Sequence, residues 1–182
     1  MRIVGGRWRG RSLVALGKGD AAAHLRPTTD RVRESVFNLL QNGGYADALQ
    51  DTRVLDVFAG TGALGLEALS RGAAEATFIE QGRKSLAILR DNIALLNAPA
   101  TILPRDARRP GPGRPHDLVF LDPPYAKGLG EEALAALHAA GWIAPEALIV
   151  WEDSVPPLLP QGFTALDQRR YGDTLVTLAR LS

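Results

Sequence analysis

Apolar and polar residues follow each other in an order that predicts strands separated by helices over most of the chain. From residue 52 onward, short apolar runs typical of buried strands precede longer stretches with the apolar spacing of helices. The predicted strands are 53–58, 76–80, 101–104, 117–121 and 147–152, and the predicted helices are 63–71, 83–96 and 131–140. Because a parallel strand pair needs a crossover that covers one face of the sheet, this order predicts a parallel, doubly wound α/β sheet.

The carboxyl-terminal part of the chain shows a different pattern. Residues 163–171 and 174–181 are two strand candidates joined by Gly172-Asp173, a dipeptide typical of tight turns. This hairpin would add an antiparallel edge to the otherwise parallel sheet and bring the sheet to seven strands.

The amino-terminal part predicts a small hairpin, a loop and a helix. Residues 2–6 and 10–14 are a short extended pair around Arg7-Trp8-Arg9, with glycines where a turn needs them. A helix is expected to begin at Thr28 or Thr29, where a hydroxyl can cap its first turn, and to end at Gly43-Gly44. We therefore predict a basic arm over residues 1–26 and one Rossmann-like domain over residues 27–182.

Composition narrows the class of protein. The chain has 182 residues, 46% of them hydrophobic and 23% charged, which suits one globular domain rather than a disordered chain. It has no apolar run long enough to cross a bilayer and no apolar leader at its amino terminus, so the cytoplasm is the expected location. With no cysteine and three scattered histidines, the sequence excludes disulfides, thiolate metal sites and a cysteine nucleophile, and it suggests no metal site.

Charge is unevenly distributed along the chain. Residues 1–33 contain eight basic and two acidic side chains, a net charge of +6, which leaves −5 on the rest of a chain whose total is +1. A cationic segment on an acidic body is typical of enzymes that bind polyanions, because lysine and arginine gain affinity for phosphates through counterion release. The alternative at this stage is a solvated, flexible terminus.

A glycine-rich turn separates the first predicted strand from its helix. Gly60, Gly62 and Gly65 match the dinucleotide-binding spacing, and Glu80 lies twenty residues beyond Gly60 at the end of the second strand, where it could bind ribose hydroxyls. On these features alone, a nicotinamide-dependent dehydrogenase fits equally well.

Asp56 distinguishes the two kinds of cofactor. Its carboxylate comes just before the glycine turn, where a dinucleotide would bring its pyrophosphate, and like charges in a partly dry cleft repel. S-adenosylmethionine has no phosphate, and its cationic amino group and sulfonium favour an acid, so we predict an S-adenosylmethionine site. Asp106, directly after the third strand, is placed to accept a hydrogen bond from the adenine amine. The alternatives are that Asp56 only stabilises the loop and that Asp106 only caps a turn.

The pattern around these motifs predicts a set of residues in contact with the cofactor. The set is Asp56, Phe58, Ala59, Gly60, Thr61, Gly62, Glu80, Gln81, Asp106, Ala107 and Asp122. All of them follow or end a predicted strand, and ligands of open α/β sheets bind beyond the carboxyl ends of the strands.

The tetrapeptide Asp122-Pro123-Pro124-Tyr125 follows the fourth strand and is the predicted catalytic segment. An exocyclic amine on a nucleobase is a poor nucleophile because its lone pair is delocalised into the ring. The Asp122 carboxylate and the Pro123 carbonyl could accept its two hydrogens and turn the lone pair toward a methyl group, for an in-line transfer driven by positioning. Pro123 and Pro124 stiffen the turn, and Tyr125 offers a ring on which the base can stack. The alternative is an ordinary turn without chemistry.

With both motifs identified, the chain resembles the RsmD family of bacterial 16S ribosomal RNA guanine-N2 methyltransferases. The Asp-Pro-Pro-Tyr tetrapeptide is shared by many amino-methyltransferases, whereas the Arg-Pro-Thr segment combined with the glycine-loop helix is much narrower. The segments that carry the resemblance are Ile3-Val4-Gly5-Gly6-Arg7, Gly10-Arg11, residues 26–34, residues 62–73, residues 122–125 and Tyr171-Gly172-Asp173-Thr174.

The resemblance implies a fold, an activity and further site residues. It implies a class I S-adenosylmethionine-dependent fold and methylation of the N2 amine of guanine 966, with 16S ribosomal RNA in the small subunit or an assembly intermediate as the partner. Arg26 and Thr28 would fold over the cofactor, with Thr28 near its carboxylate. S-adenosylhomocysteine would be the product, and a monomer without membrane or metal is expected. The residues implied to bind RNA are Arg2, Arg7, Trp8, Arg9, Arg11, Arg31 and Arg33.

Two departures from the family and two other functions bear on this interpretation. Thr61 replaces a common serine but keeps the hydroxyl, and Gln81-Gly82 follows Glu80 where another acid is frequent. An adenine-N6 methyltransferase would use the same tetrapeptide, but the DNA enzymes usually carry a target-recognition insertion for which this chain has no room. A non-catalytic RNA-binding protein on a methyltransferase core is a further alternative, and the intact acids at 56, 80 and 122 argue against it.

Overall fold

A seven-stranded sheet with helices on both faces forms the protein. The structure is a computed structural model, and it describes residues 1–17, 28–124 and 128–182. The strands are β1 (Arg53–Val57), β2 (Glu75–Glu80), β3 (Ala100–Pro104), β4 (His116–Leu121), β5 (Ile143–Asp153), β6 (Phe163–Tyr171) and β7 (Thr174–Leu181). The helices are α1 (Asp30–Asn42), α2 (Ala63–Ser70), α3 (Arg83–Leu96) and α4 (Leu129–Ala139), with short 3₁₀ turns at Gly6–Trp8 and Ala46–Ala48.

The strand order is β3-β2-β1-β4-β5-β7-β6. The first five strands of this order run parallel, and β7 is antiparallel to both of its neighbours. The predicted doubly wound sheet with an antiparallel carboxyl-terminal hairpin is therefore confirmed. Because β1, β4 and β5 are neighbours, their carboxyl ends meet at one edge, in the crevice where ligands bind in sheets of this type.

Each face of the sheet has its own hydrophobic core. One core packs α1, α2 and α3 against the sheet through buried residues such as Phe37, Leu66 and Leu89. The other packs α4 and Trp142 against the opposite face, with Leu134 and Leu137 fully buried. Among the described residues, no helix is long and apolar enough to span a membrane.

The element boundaries differ from the predicted ones mainly at β5. This strand begins at Ile143 rather than at residue 147. Ile143 pairs with His116 of β4, and regular pairing resumes at Leu148 after an irregular stretch. Within that stretch Pro145 cannot donate to the ladder and Glu146 has a φ of 63°, so the alternation of a regular strand is broken. The start of α1 agrees with the prediction. The Thr29 hydroxyl caps this helix by accepting a hydrogen bond from the Val32 amide at 3.2 Å.

Residues 1–14 form the N-terminal hairpin, which packs on the domain. Its two arms share a single antiparallel bridge, and the Ile3 amide donates to the Arg11 carbonyl at 2.9 Å. Ile3 and Leu13 are buried in the same core as α1 and α2. The alternative of a solvated, flexible terminus is therefore wrong for residues 1–14. These residues are folded, and they carry most of the basic side chains predicted to bind RNA.

Candidate active site

Three carboxylates from three strands lie together at the carboxyl edge of the sheet. Val57 of β1 pairs with Leu121 of β4, and Leu121 pairs with Trp151 of β5, so the residues that follow Leu121 and Trp151 are neighbours across the strands. Side chains alternate between faces, which places Asp56, Asp122 and Glu152 on the face that α1 covers. We call these three residues the carboxylate cluster.

Burial raises the pKa of every member of the carboxylate cluster. Burial raises the pKa of Asp56 to about 8 and that of Glu152 to about 7. Burial also raises the pKa of Asp122 well above its usual range, and the charges of Glu152 and Asp56 raise it further. Because like charges and a dry environment both disfavour the ionised form, the cluster favours a cation or a hydrogen-bond donor as its ligand.

Thr28 closes the cluster from the start of α1. Its hydroxyl donates to Glu152 Oε2 at 2.7 Å and also lies within hydrogen-bonding reach of Asp122. In this structure Thr28 therefore contacts the two acids, and its predicted contact with a cofactor carboxylate stays a prediction. Arg26 and Tyr125, which were predicted to hold the cofactor and to stack the base, lie outside the described residues.

The glycine turn after β1 has one open side and one packed side. A side chain at Gly62 would meet Leu89 at 2.4 Å, so this glycine is required for packing between α2 and α3. Gly60 has a φ of 57°, and an added Cβ there would meet nothing within 4 Å. Phe58 also adopts a left-handed φ of 58°, a strained conformation for a non-glycine residue. The turn therefore offers bare backbone on the side of Gly60.

Asp56 lies beneath the glycine turn rather than in contact with open space. Its carboxylate is buried and accepts a hydrogen bond from the Gly65 amide at 2.9 Å, in the first turn of α2. Asp56 therefore stabilises the turn, as the alternative interpretation describes, and its predicted contact with a cofactor stays a prediction. Any effect of Asp56 on a ligand acts through its charge.

Glu80 joins the glycine turn to the end of β2. One carboxylate oxygen accepts from the Gly60 amide at 2.7 Å, and the other accepts from the amides of Gln81 and Gly82 at 2.9 and 2.7 Å. A carboxylate offers about four acceptor sites, so Glu80 can still accept one hydrogen bond from a ligand hydroxyl. The ribose contact of Glu80 stays a prediction.

A cleft of about 210 Å³ opens beside Glu80. It is smaller than the roughly 300–1,000 Å³ of pockets that enclose a whole small ligand, so it would hold one part of a larger molecule. Its walls are Phe58, Ile79, Glu80, Gln81, Gly82, Arg105, Ala107 and Pro124. Five predicted site residues from the ends of four strands thus line one space with apolar sides and a carboxylate.

Asp106 does not line this cleft. It accepts from the Arg108 amide at 2.9 Å and forms an ion pair with the Arg108 guanidinium at 2.8 Å, which lowers the pKa of Asp106. Arg108 pairs with the Asp106 carboxylate in this structure, and the predicted hydrogen bond to an adenine amine stays a prediction. Asp106 is the turn cap that the alternative interpretation described.

The predicted RNA-binding residues divide into exposed and buried side chains. Arg33 is completely buried between Asp30 and Glu67, at 2.8 and 3.4 Å, and it also donates to the Arg2 carbonyl. Its predicted RNA contact is wrong, because no face of the guanidinium reaches the surface. The other charged members of the set are exposed: Arg2, Arg7, Arg9, Arg11 and Arg31. Trp8 is half-buried, and the Arg7 guanidinium lies 4.1 Å from the centre of its ring.

The sequence patterns missed three polar residues that organise the site. Glu152 lies near the end of a buried apolar strand, and an acid at such a position is the sequence feature that could have indicated a site residue. Asn92 occupies a position of the buried stripe of α3; its amide donates to the carbonyls of Thr61 and Val14, each at 3.0 Å, and so ties the glycine turn to the N-terminal hairpin. Glu67 accepts from the amides of Val4 and Gly5 at 3.0 and 2.8 Å, and nothing in its local sequence indicated this.

In the Asp56→Asn variant, the free energy of unfolding should decrease less with rising pH than it does in wild type. A carboxyl whose pKa is raised by folding stabilises the fold fully below its unfolded pKa, and this contribution is lost as the pH rises through the folded pKa. For Asp56 that window runs from 3.8 to about 8, and each proton held only by the folded state changes the free energy of unfolding by up to about 1.4 kcal/mol per pH unit. The asparagine variant should therefore be the more stable protein at about pH 8.

Thermal melts from about pH 5 to pH 9 measure the effect of Asp56→Asn. Asp117→Asn is the matched control, because Asp117 is exposed at the opposite edge of the sheet. Parallel stability curves for wild type and Asp56→Asn would show that Asp56 carries no retained proton.

The chain is similar to known proteins over nearly its whole length. The family model "Conserved hypothetical protein 95" matches residues 1–180. Ribosomal RNA small subunit methyltransferase D of Escherichia coli is 47% identical over 163 residues, which are 88% of this chain and 78% of the relative. The protein of the same name from Haemophilus influenzae is 36% identical over 181 residues, which are 94% of this chain and 89% of the relative.

Solved structures show the same fold. The structure of yhhF from Escherichia coli has 43% sequence identity and a TM-score of 0.85, and the match covers 100% of this chain and 97% of that one. Ribosomal protein L11 methylase from Lactobacillus delbrueckii has a TM-score of 0.62 and 14% sequence identity, and the match covers 80% of this chain and 77% of that one. At this identity the similarity supports the fold alone. The sheet is that of a Rossmann-like class I methyltransferase.

Proposed function

The chain belongs to the RsmD family of ribosomal RNA methyltransferases, and we propose that it methylates the exocyclic N2 amine of one guanine in 16S ribosomal RNA, with S-adenosylmethionine as donor. The observation that carries the proposal is the placement of the Asp122-Pro123-Pro124 turn beside the glycine turn of β1, at one edge of the sheet. Guanine 966 is the target that the resemblance implies, in the small subunit or an assembly intermediate.

The residues at this edge fit S-adenosylmethionine. Phe58, Ala107 and Pro124 offer apolar walls for the adenine ring, and Glu80 with Gln81 can bind ribose hydroxyls. Gly60 leaves bare backbone for the methionine portion, and the carboxylate cluster suits a cationic ligand better than a pyrophosphate. When bound, this cofactor supplies a methyl group on a positively charged sulfur. Arg26 and Thr28 are proposed to cover it.

The chain's own residues would hold and deprotonate the amine. Asp122 and the carbonyl of Pro123 accept the two amine hydrogens, and the prolines contribute no competing N–H donor. As the nitrogen gains a carbon it loses a proton, and Asp122, whose pKa is raised by burial, is the group placed to hold that proton. Tyr125 is proposed to stack on the flipped base.

One end of the proposed RNA surface lies near the proposed cofactor site. The N-terminal hairpin carries exposed arginines, and its first residue lies near the glycine turn, with Met1 Sδ 3.8 Å from the Thr61 hydroxyl. A base brought to the Asp122 turn would therefore have flanking phosphates near a cationic surface. A ribosomal substrate implies a cytoplasmic location, and a monomer suffices for this arrangement.

The function is tested by methyl transfer from labelled cofactor to small ribosomal subunits. Subunits are taken from cells that lack this gene and from cells that have it, and the labelled nucleotide is identified after digestion. We expect label as N2-methylguanine in 16S ribosomal RNA of the first preparation alone. Label on adenine, on DNA or in neither preparation would refute the proposal.

Neutralising the hairpin should weaken substrate binding in a salt-dependent way. Each phosphate contact contributes roughly 0.7 to 0.9 to the slope of log affinity against log salt. The double variant Arg7→Gln, Arg9→Gln should therefore lower that slope by about 1 to 2 in filter-binding titrations with small subunits. The matched control is Arg53→Gln, Arg114→Gln, because these half-exposed arginines lie outside the hairpin and pair with Glu75. Equal slopes for the two double variants would remove the hairpin from RNA binding.

A further inference from the structure

Glu152 has a buried oxygen without a hydrogen bond. The residue is 2% exposed, and its Oε2 accepts from Thr28 at 2.7 Å. Its Oε1 has no hydrogen-bond partner in the part of the chain that the structure describes. Arg33 attracts it electrostatically, but no ion pair within 4 Å joins them among the described residues. Buried polar atoms are nearly always paired, so this oxygen points to a donor supplied by a ligand.

The unpaired oxygen lies next to the residue that would grip the amine. Glu152 lies one residue before the end of β5, beside Asp122, and neighbouring strands are about 4.8 Å apart. Thr28 holds Oε2 and leaves Oε1 for another donor. Two adjacent acceptors on two strands therefore match a ligand with two adjacent donors.

The Watson–Crick edge of guanine carries such a pair of donors. Its N2 amine is next to the ring N1–H, whereas the N6 amine of adenine is next to a ring nitrogen with a lone pair. An enzyme that flips a base out of the stack can read this edge directly. A carboxylate beside the amine-binding residue would attract N1–H of guanine and repel N1 of adenine.

We propose that Glu152 Oε1 accepts N1–H of the target guanine while Asp122 accepts the N2 amine, so that Glu152 selects guanine over bases with an unprotonated N1. This inference rests on the proposed methylation of a guanine amine and adds the residue that recognises the base. A site built to hydrogen-bond one donor discriminates strongly against an analogue that lacks it. Glu152 is a specificity-determining residue in this assignment, and Asp122 keeps its role in holding the amine.

The test compares guanine with 2-aminopurine at the target position. The analogue keeps the N2 amine but has a lone pair at N1, so it separates recognition of N1–H from the presence of a nucleophile. Small subunits are reconstituted with 16S ribosomal RNA that carries either base at that position, and kcat and KM for methyl transfer are measured on both. Wild type should prefer guanine by at least about a hundredfold in kcat/KM.

Glu152→Gln should lower that preference at least tenfold, because the amide can present an N–H group where guanine needs an acceptor. Glu152→Asp keeps a carboxylate and should retain more of the preference. Asp153→Asn is the matched control: it removes an acid from the same strand end, on the opposite face, and should leave the preference unchanged. Melting temperatures of all variants identify any loss of folding, and in that case the comparison rests on Glu152→Asp.

The outcomes separate this inference from the proposed function. An unchanged preference in folded Glu152→Gln, with guanine still methylated, would overturn the role of Glu152 and leave the function intact. A wild-type enzyme that methylates guanine and 2-aminopurine equally would also overturn it. Absence of any guanine methylation by wild type would instead refute the proposed function itself.

Discussion

Asp122→Ala will lower kcat about a thousandfold or more while S-adenosylmethionine binds within a fewfold of its wild-type affinity. General acid–base groups contribute roughly 10²–10⁴ in rate, and Asp122 is also an acceptor that orients the amine. The walls of the cleft proposed for the cofactor include Pro124 but not Asp122, so binding should be largely retained. Single-turnover methyl transfer and calorimetric titration with the cofactor measure the two effects separately.

The Asp122→Ala protein should be at least as stable as wild type at neutral pH. Burial raises the pKa of Asp122 well above its usual range, which means that the ionised carboxylate opposes folding. Asp117→Ala is the matched control, because Asp117 is exposed near the start of the same strand, and the substitution should leave kcat unchanged. If Asp122→Ala retained kcat within tenfold of wild type, the tetrapeptide would be a structural turn.

Glu67→Ala should destabilise the protein by about 3–5 kcal/mol, the usual result of removing one partner of a buried ion pair. Glu67 is completely buried and pairs with Arg33 at 3.4 Å and with Arg71 at 2.8 Å. It also accepts the amides of Val4 and Gly5. The substitution removes an acceptor that two guanidinium groups and two amides share, and the melting temperature should fall by roughly 10 °C.

Glu132→Ala provides the comparison for Glu67→Ala. Glu132 also lies in a helix and pairs with an arginine, but its side chain is 60% exposed, and exposed pairs contribute at most about 1 kcal/mol. Hydrogen exchange gives a second measurement, because the Val4 and Gly5 amides should lose protection only in Glu67→Ala. Equal melting temperatures for the two variants would mean that the buried network does not hold the hairpin.

The buried network links the proposed RNA surface to the glycine turn. Glu67 ties the hairpin to the middle of α2, the helix that begins at that turn. Asn92 ties the other arm of the hairpin to the Thr61 carbonyl within the turn. Any displacement of the hairpin by bound RNA would therefore be transmitted to backbone that is proposed to contact the cofactor.

Local signals in the chain were sufficient for the fold class and for the position of the site. Helical and strand periodicity are properties of short windows, so the alternation of elements and the final hairpin could be predicted with nearly the observed bounds. The glycine turn and the Asp122 tetrapeptide each follow a strand directly. Since parallel strands bring their carboxyl ends to one edge, their proximity followed from the topology alone.

The partners of individual charges depended on contacts between distant parts of the chain. Arg33 is buried because Glu67, 34 residues away, meets it on the adjoining helix, and Asn92 meets Val14 across 78 residues. Asp56 and Asp106 were assigned ligand contacts from position alone, but each already has a partner in the folded chain. Glu152 acquires significance only beside Asp122. A pattern of residue types records how polar each position is, whereas the burial and pairing that set its charge state arise when the helices pack on the sheet.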